Sequence, residues 1–218
     1  MEIGLDDAYS IKTPDDSRKL YAKWAASYEA DFVANQGYEH PRVIAEHFDH
    51  LVPDIKTVID VGTGTGLVGL ELSKLRPNLQ IDGVDISPEM LAEAKKKGIY
   101  RNLYERDLTK VISNIATPYD SLICIGIFTH GHLLPNAIDN LLPLVQRNGY
   151  FVVGINAKFF KEEEFESFLF NLHKSAEISQ PRFNKVKVYS ENSPHRESLN
   201  RSEEHTSELQ SRFGILVC

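Results

Sequence analysis

Cysteine is scarce in this sequence: Cys124 and Cys218 are the only two in 218 residues. Two cysteines, one of them inside an apolar run, build no disulfide framework. That excludes the small stapled secreted folds and points to a reducing compartment, the cytoplasm. Cys124 reads as a core residue. Long apolar runs are also missing, so no transmembrane helix and no membrane partner is expected. The first residues, Met1-Glu2-Ile3-Gly4-Leu5-Asp6-Asp7, are acidic and show no basic stretch followed by an apolar one, so no secretory signal is expected. Basic residues are in the minority, 24 Lys and Arg against 31 Asp and Glu, a net charge of −7. The two signs are interspersed, whereas a nucleic-acid binder presents a basic face, so nucleic acid is not an expected partner. Internal repeats and low-complexity linkers are absent as well. What remains, 42% apolar and 25% charged residues, suits one α/β domain with a core of its own.

The pattern along the chain begins helical. Thr13 caps, Pro14 suits the first helical position, and Asp15 and Asp16 favour the positive helix end. An aromatic stripe follows through Tyr21, Trp24 and Tyr28, with Gly37 as a stop, and Pro41 opens a second helix to about Leu51. The period then changes. Strands are expected at 57–61, 80–85, 102–105, 121–125, 150–155 and 186–189. Helices are expected at 67–75, from Ser87-Pro88 to Gly98, at 133–142 and at 160–177, with a turn at Asn148-Gly149. Alternating strands and helices imply a mostly parallel sheet with helices on both faces and its ligand edge at the strand C-termini. Residues 1–52 read as an N-terminal helical cap and 53–192 as the core. Residues Arg201–Ser211 resemble the in-frame translation of a sequencing adapter, so 201–218 reads as an artefactual tail outside the fold.

Between the first strand and its helix lies Asp60-Val61-Gly62-Thr63-Gly64-Thr65-Gly66. Its glycines let a ligand approach the backbone, and the helix behind it presents unpaired N–H groups. A phosphate-binding Walker loop needs Gly-Lys-Ser/Thr at its end, but Gly66 is followed by Leu67 and Val68. A dinucleotide loop wants its third glycine at position 67, which is Leu67. The S-adenosylmethionine (SAM) loop, Asp/Glu-x-Gly-x-Gly-x-Gly, matches at every fixed position. The acid has a physical logic: SAM carries an α-ammonium and a sulfonium but no phosphate, so a carboxylate suits it and repels a pyrophosphate. Asp85, ending the next strand, suits the two ribose hydroxyls, a role shared with NAD folds. Ile86 and Met90 suit the adenine face, though Met90 reads equally as core. Asp107, followed by Leu108, suits the adenine amino group, the alternative being a helix cap before Val111. Asp82 reads as solvated.

On these blocks, with Tyr119–Gly126 and Leu142–Ile155, the chain resembles the class I SAM-dependent methyltransferases. Tyr21-Ala22-Lys23-Trp24-Ala25-Ala26-Ser27-Tyr28, Gly37-Tyr38 and Pro41 resemble, more narrowly, the Williams–Beuren syndrome region methyltransferase-like proteins. The resemblance implies a Rossmann-like fold and a cofactor set of Asp60, Gly62, Thr63, Gly64, Gly66, Asp85, Ile86, Met90, Asp107, Leu108 and Ile125. It also implies a seventh, antiparallel strand beside the fifth. That strand would fall after about Asn192, where the adapter-like segment begins, so it is expected to be missing.

Methyl transfer needs in-line approach of a nucleophile, and a base only if that nucleophile arrives protonated. His132, after the fourth strand, and Tyr28 are the candidate catalytic or substrate-contacting residues. His130 reads as a surface or capping residue, and His47, His50 and Glu162-Glu163-Glu164 as solvated. His130-x-His132 has no third ligand at suggestive spacing, so no metal is expected. The Asn/Asp-Pro-Pro-Tyr/Phe element of amino-methylating DNA enzymes is absent after the fourth strand. The expected activity is methyl transfer from SAM to a small-molecule or protein acceptor. A non-catalytic SAM-binding regulatory protein is the alternative, and an NAD-dependent oxidoreductase a weaker one.

Overall fold

The computed structural model describes residues 7–8, 10–34, 37–186, 189–190, 193 and 213–217. Helix α1 spans Pro14–Trp24 and starts with a full capping box. The Thr13 side chain accepts from the Asp16 backbone N–H, and the Asp16 carboxylate accepts from the Thr13 backbone N–H. The aromatic stripe does not continue as one helix. After Trp24 come a turn and a π-helical segment, Glu29–Ala34, before α2 (His40–Leu51) begins with Pro41 in its first turn. The core elements are β1 (Thr57–Val61), α3 (Leu67–Leu75), β2 (Gln80–Asp85), α4 (Pro88–Lys96), β3 (Tyr100–Glu105), β4 (Tyr119–Phe128), α5 (Ile138–Leu141), β5 (Val145–Ile155), α6 (Ala157–Glu162), α7 (Phe165–Lys174), β6 (Pro181–Lys185) and β7 (Phe213–Val217).

Among the described residues the sheet has seven strands in the order β3-β2-β1-β4-β5-β7-β6. Every pairing in it is parallel. The seventh strand expected to be missing is therefore present. Phe213–Val217, a short apolar segment inside the stretch read as a tail, hydrogen-bonds β5 on one side and β6 on the other. It fills the gap that would leave both neighbours with unpaired backbone groups. It runs parallel, not antiparallel as the family resemblance implied. The adapter-like residues 201–211 and Cys218 lie outside the described residues.

Side chains alternate along the central strands, as a two-residue period requires. Ile59 and Val61, Leu122 and Cys124, and Phe151, Val153 and Ile155 face one side, under Ile138 of α5, Phe159 of α6 and Phe165 and Leu169 of α7. Val58, Ile123, Ile125 and Val152 face the other, under Ile44 and Phe48 of α2 and Val68 and Leu72 of α3. Phe48 and Leu72 have no exposure at all. Each such burial contributes about 2–3 kcal/mol.

Other expectations shift for local reasons. The region expected as one helix at 133–142 holds a 3₁₀ turn, Pro135–Ala137, then the single α turn of α5 and a second 3₁₀ turn, Leu142–Leu144, because Pro135 and Pro143 lack N–H donors. The helix expected over 160–177 breaks into α6 and α7 where Glu164 takes a positive φ of 51°. The Asn148-Gly149 turn sits inside β5, and its extra residues shift the pairing from Tyr119–Val145 to Ser121–Tyr150. The last strand lies at Pro181–Lys185, wholly before the expected 186–189, of which residues 187–188 are not described.

Two polar networks tie the strands together. Asp82 is fully buried, not solvated: its carboxylate accepts from Arg101, Asn102 and Tyr119, joining β2 to β3 and β4. At the strand N-termini, one oxygen of Asp120 accepts from the Lys56 and Thr57 backbone and the Thr57 hydroxyl, and the other from Gln146. Among the described residues no helix is long and apolar enough to cross a membrane.

Candidate cofactor cleft

The loop after β1 turns over the C-terminal edge of the sheet, where the strand order reverses, β2 and β3 lying on one side of β1 and β4 and β5 on the other. Its turn needs left-handed backbone at Gly62 (φ 74°), Gly64 (φ 53°) and Gly66 (φ 89°). At Gly64 a Cβ would meet nothing within 4 Å, so the loop presents bare backbone to open space. Gly66, as the N-cap of α3, faces the other way, into Tyr100 and Ala94. The loop is fixed from below, where the Thr63 hydroxyl donates to the Asp60 carbonyl at 2.8 Å. From the side, the Asp85 carboxylate accepts from Gly64 N–H at 2.8 Å and from Ser87 N–H at 2.9 Å. Each Asp85 oxygen keeps a free lone pair after these bonds. Burial raises the Asp85 pKa, with the backbone amides of Ser87, Gly64 and Ile86 opposing.

The cleft above this loop encloses about 780 Å³ of empty space, its open mouth included. Of the sequence-predicted residues, Gly62, Thr63, Gly64, Asp85, Ile86, Met90, Leu108 and Ile125 line it together. Asp107 instead lines an adjoining hollow that shares Ile86, Leu108 and His132 with the cleft. Its carboxylate binds the Thr109 N–H and hydroxyl and Lys110, closing a turn, not capping a helix. Asp60 and Gly66 are not in the wall but directly behind it. Asp60 is only 1% exposed, and its Oδ2 accepts from the Tyr100 hydroxyl at 2.6 Å. Burial pushes the Asp60 pKa up to about 7, the Tyr100 bond and the Gly69 backbone opposing and the Asp85 charge adding.

The N-terminal segment forms the opposite wall with Ser17, Tyr21, Tyr28 and Tyr38. It is tied down by Lys97–Glu29 at 2.5 Å and by Arg18, which donates to the Ile86 carbonyl at 3.3 Å. Tyr28 packs edge-on against Trp24, which is core as expected, at 2% exposure. His132 lines the cleft, and its Nδ1 donates to the His130 carbonyl at 3.0 Å. Burial lowers the His132 pKa, so the ring is neutral and Nε2 accepts from the Tyr21 hydroxyl at 3.0 Å. His130 turns outward to Glu162 at 2.6 Å. Of the two remaining histidines read as solvated, His50 is exposed and His47 half-buried.

Sequence reasoning missed Tyr21 as the partner of His132, Tyr100 as the partner of Asp60, and Thr65. The Thr65 hydroxyl is buried in the cleft wall and has no hydrogen-bond partner among the described residues. A buried hydroxyl without a partner is costly, and a polar ligand in the cleft would satisfy it.

An open parallel sheet whose glycine loop crosses a strand-order switch, with a carboxylate ending the next strand, defines a nucleoside-binding α/β protein. Within that class the comparisons are specific: residues 59–151 match the family described as methyltransferase domain. The chain is 34% identical over 134 residues to human methyltransferase-like protein 27, covering 59% of this chain and 54% of that protein. It is 31% identical over 100 residues to a malonyl-[acyl-carrier protein] O-methyltransferase of Xylella fastidiosa, covering 45% and 31%. The chain thus spans about half or less of the length of these relatives. The plantazolicin methyltransferase BpumL, crystallised with a triazolic desmethylPZN analog and SAH, shares the fold at a TM-score of 0.53 and 19% identity, covering 73% of this chain and 77% of that one. Residues 59–151 are thus similar to a methyltransferase domain, set in a fold shared with that methyltransferase.

Proposed function

We propose that the protein transfers the methyl group of SAM to a small-molecule or protein acceptor. What supports this is the convergence, on one cleft, of the bare loop of Gly62–Gly64, Asp85 with lone pairs to spare, and the unpartnered Thr65 hydroxyl. In this reading Asp85 takes the ribose hydroxyls. Asp107 and Leu108 take the adenine edge, while Ile86, Met90 and Ile125 pack its faces. Asp60, behind the loop, takes the α-ammonium. SAM supplies an electrophilic methyl group on a sulfonium. The protein's own contribution is orientation and exclusion of water. For an acceptor that arrives protonated, the Tyr21 hydroxyl takes its proton while passing its own to Nε2 of neutral His132, and Tyr28 contacts the acceptor. The net charge of −7 sets nucleic acid aside as acceptor.

The test is calorimetric titration of SAM, and separately NADH, into the whole chain. Saturable SAM binding without NADH binding is the expected result. Tight NADH binding supports an oxidoreductase instead. Binding of neither overturns the proposal. SAM binding with no turnover across small-molecule and protein acceptors identifies a non-catalytic SAM-binding protein.

A further inference from the structure

Tyr100 opens β3, two strands away from β1 in the sheet, and belongs to no part of the glycine motif. Yet its ring lies on the face that holds Asp60, packed with the Ile44–Leu72 core. A Cβ at Gly66 would come within 2.9 Å of the ring, and one at Gly69 within 2.3 Å of its hydroxyl. Gly69 sits inside helix α3, where glycine is disfavoured by about 1 kcal/mol relative to alanine. The ring occupies the space those two missing side chains leave, and its hydroxyl ends 2.6 Å from Asp60 Oδ2. One side chain thus holds the loop's acid, its third glycine and its helix in a single arrangement.

We infer that Tyr100 is a positioning residue for the cofactor cleft, aiming the Asp60 carboxylate and holding it in the ionised form that receives the α-ammonium. The inference rests on the proposed function above. A phenol that donates to a carboxylate stabilises its charged form. The other groups facing Asp60 do less of this: Asp85 beside the loop disfavours the charge, the Cys124 thiol on β4 is itself pushed up by burial, and the Gly69 backbone of α3 favours it. A buried Asp60 with a pKa of about 7 is half protonated in neutral solution. Binding a cation against it must then expel a proton into the buffer.

The experiment is calorimetric titration of S-adenosylhomocysteine, which keeps the α-ammonium, and of adenosine, which lacks it. Wild type, Tyr100→Phe and Asp60→Asn are compared from about pH 5.5 to 8.5, each in two buffers of different ionisation enthalpy. Wild type is expected to release protons on binding S-adenosylhomocysteine, with a midpoint near pH 7. Tyr100→Phe should move that midpoint upward and weaken binding about tenfold at neutral pH, the loss shrinking as pH rises. Asp60→Asn should release no protons, and adenosine should bind all three alike. An equal affinity loss at every pH with an unmoved midpoint, or proton release persisting in Asp60→Asn, overturns the inference while leaving the proposed function standing. Failure of wild type to bind S-adenosylhomocysteine overturns both.

Discussion

Replacing Asp60 by asparagine should stabilise the ligand-free protein while crippling its cofactor site. Asp60 is 1% exposed, so no solvent discount applies to its burial. Its pKa rises from an ordinary 3.8 to about 7 on folding. For an acid that is a folded value above the unfolded one, so the native state is penalised above both values and the penalty fades as pH falls. It amounts to about 4 kcal/mol near pH 8, about 2 near pH 5, and little below pH 4. The amide keeps an oxygen for the Tyr100 hydroxyl but buries hydrogens without partners, at about 1–2 kcal/mol. Asp60→Asn is therefore expected to gain about 2–3 kcal/mol near pH 8 and to reach parity with wild type near pH 5. Urea unfolding across that range measures the difference, and calorimetry should show SAM affinity falling at least about tenfold at the same time. A stability difference that does not change with pH, or a loss near pH 8, would refute the reasoning.

Three other outcomes follow from the geometry. Gly62→Ala puts a Cβ 2.4 Å from the Ile127 side chain at a φ of 74°, so it should cost about 2 kcal/mol in chemical denaturation and weaken SAM binding by calorimetry. Thr65→Val removes a buried hydroxyl with no described partner; ligand-free stability should hold or rise slightly, while SAM affinity by calorimetry falls about tenfold. Arg101→Met takes away the partner of Asp82, whose pKa is held low by Arg101, Tyr119 and Asn102 against the opposing effect of burial. With Arg101 itself 40% exposed, urea unfolding should show a loss of about 1–2 kcal/mol at neutral pH. That contribution exists above the unfolded carboxylate pKa, so the gap should narrow in acid.

What the sequence disclosed was whatever depends on local pattern. The β-branched run 57–61, the Ser87-Pro88 cap and the glycine loop each state their structure within a few residues, and the cleft inherits most of its predicted lining from them. What it hid depends on strand register and order. Asp82 looked like a surface acid because an aspartate is seldom buried without partners, and only Arg101, Asn102 and Tyr119 on other strands make its burial tolerable. Tyr100 gave one local hint, the glycine at position 69 inside a helix, which signals close approach of a bulky group. The His132–Tyr21 bond joins residues 111 apart in sequence, with nothing in either neighbourhood to announce it. Phe213–Val217 was set aside because of the adapter-like segment before it, although its own apolar run reads as a strand.

The Asp82 network has a bearing on how such a sequence can drift. Substituting Arg101, Asn102 or Tyr119 alone leaves a fully buried acid short of a donor, and substituting Asp82 alone leaves donors pointing at nothing. These four positions are therefore free to vary only in company, and a chimera that takes β2 from one relative and β3 from another inherits half of a lock. Asp85, three residues further along the same strand, is held by the backbone of Gly64, Ile86 and Ser87. It is bound by no such pact, so the rim of the cleft can be retuned while the floor beneath it stays fixed.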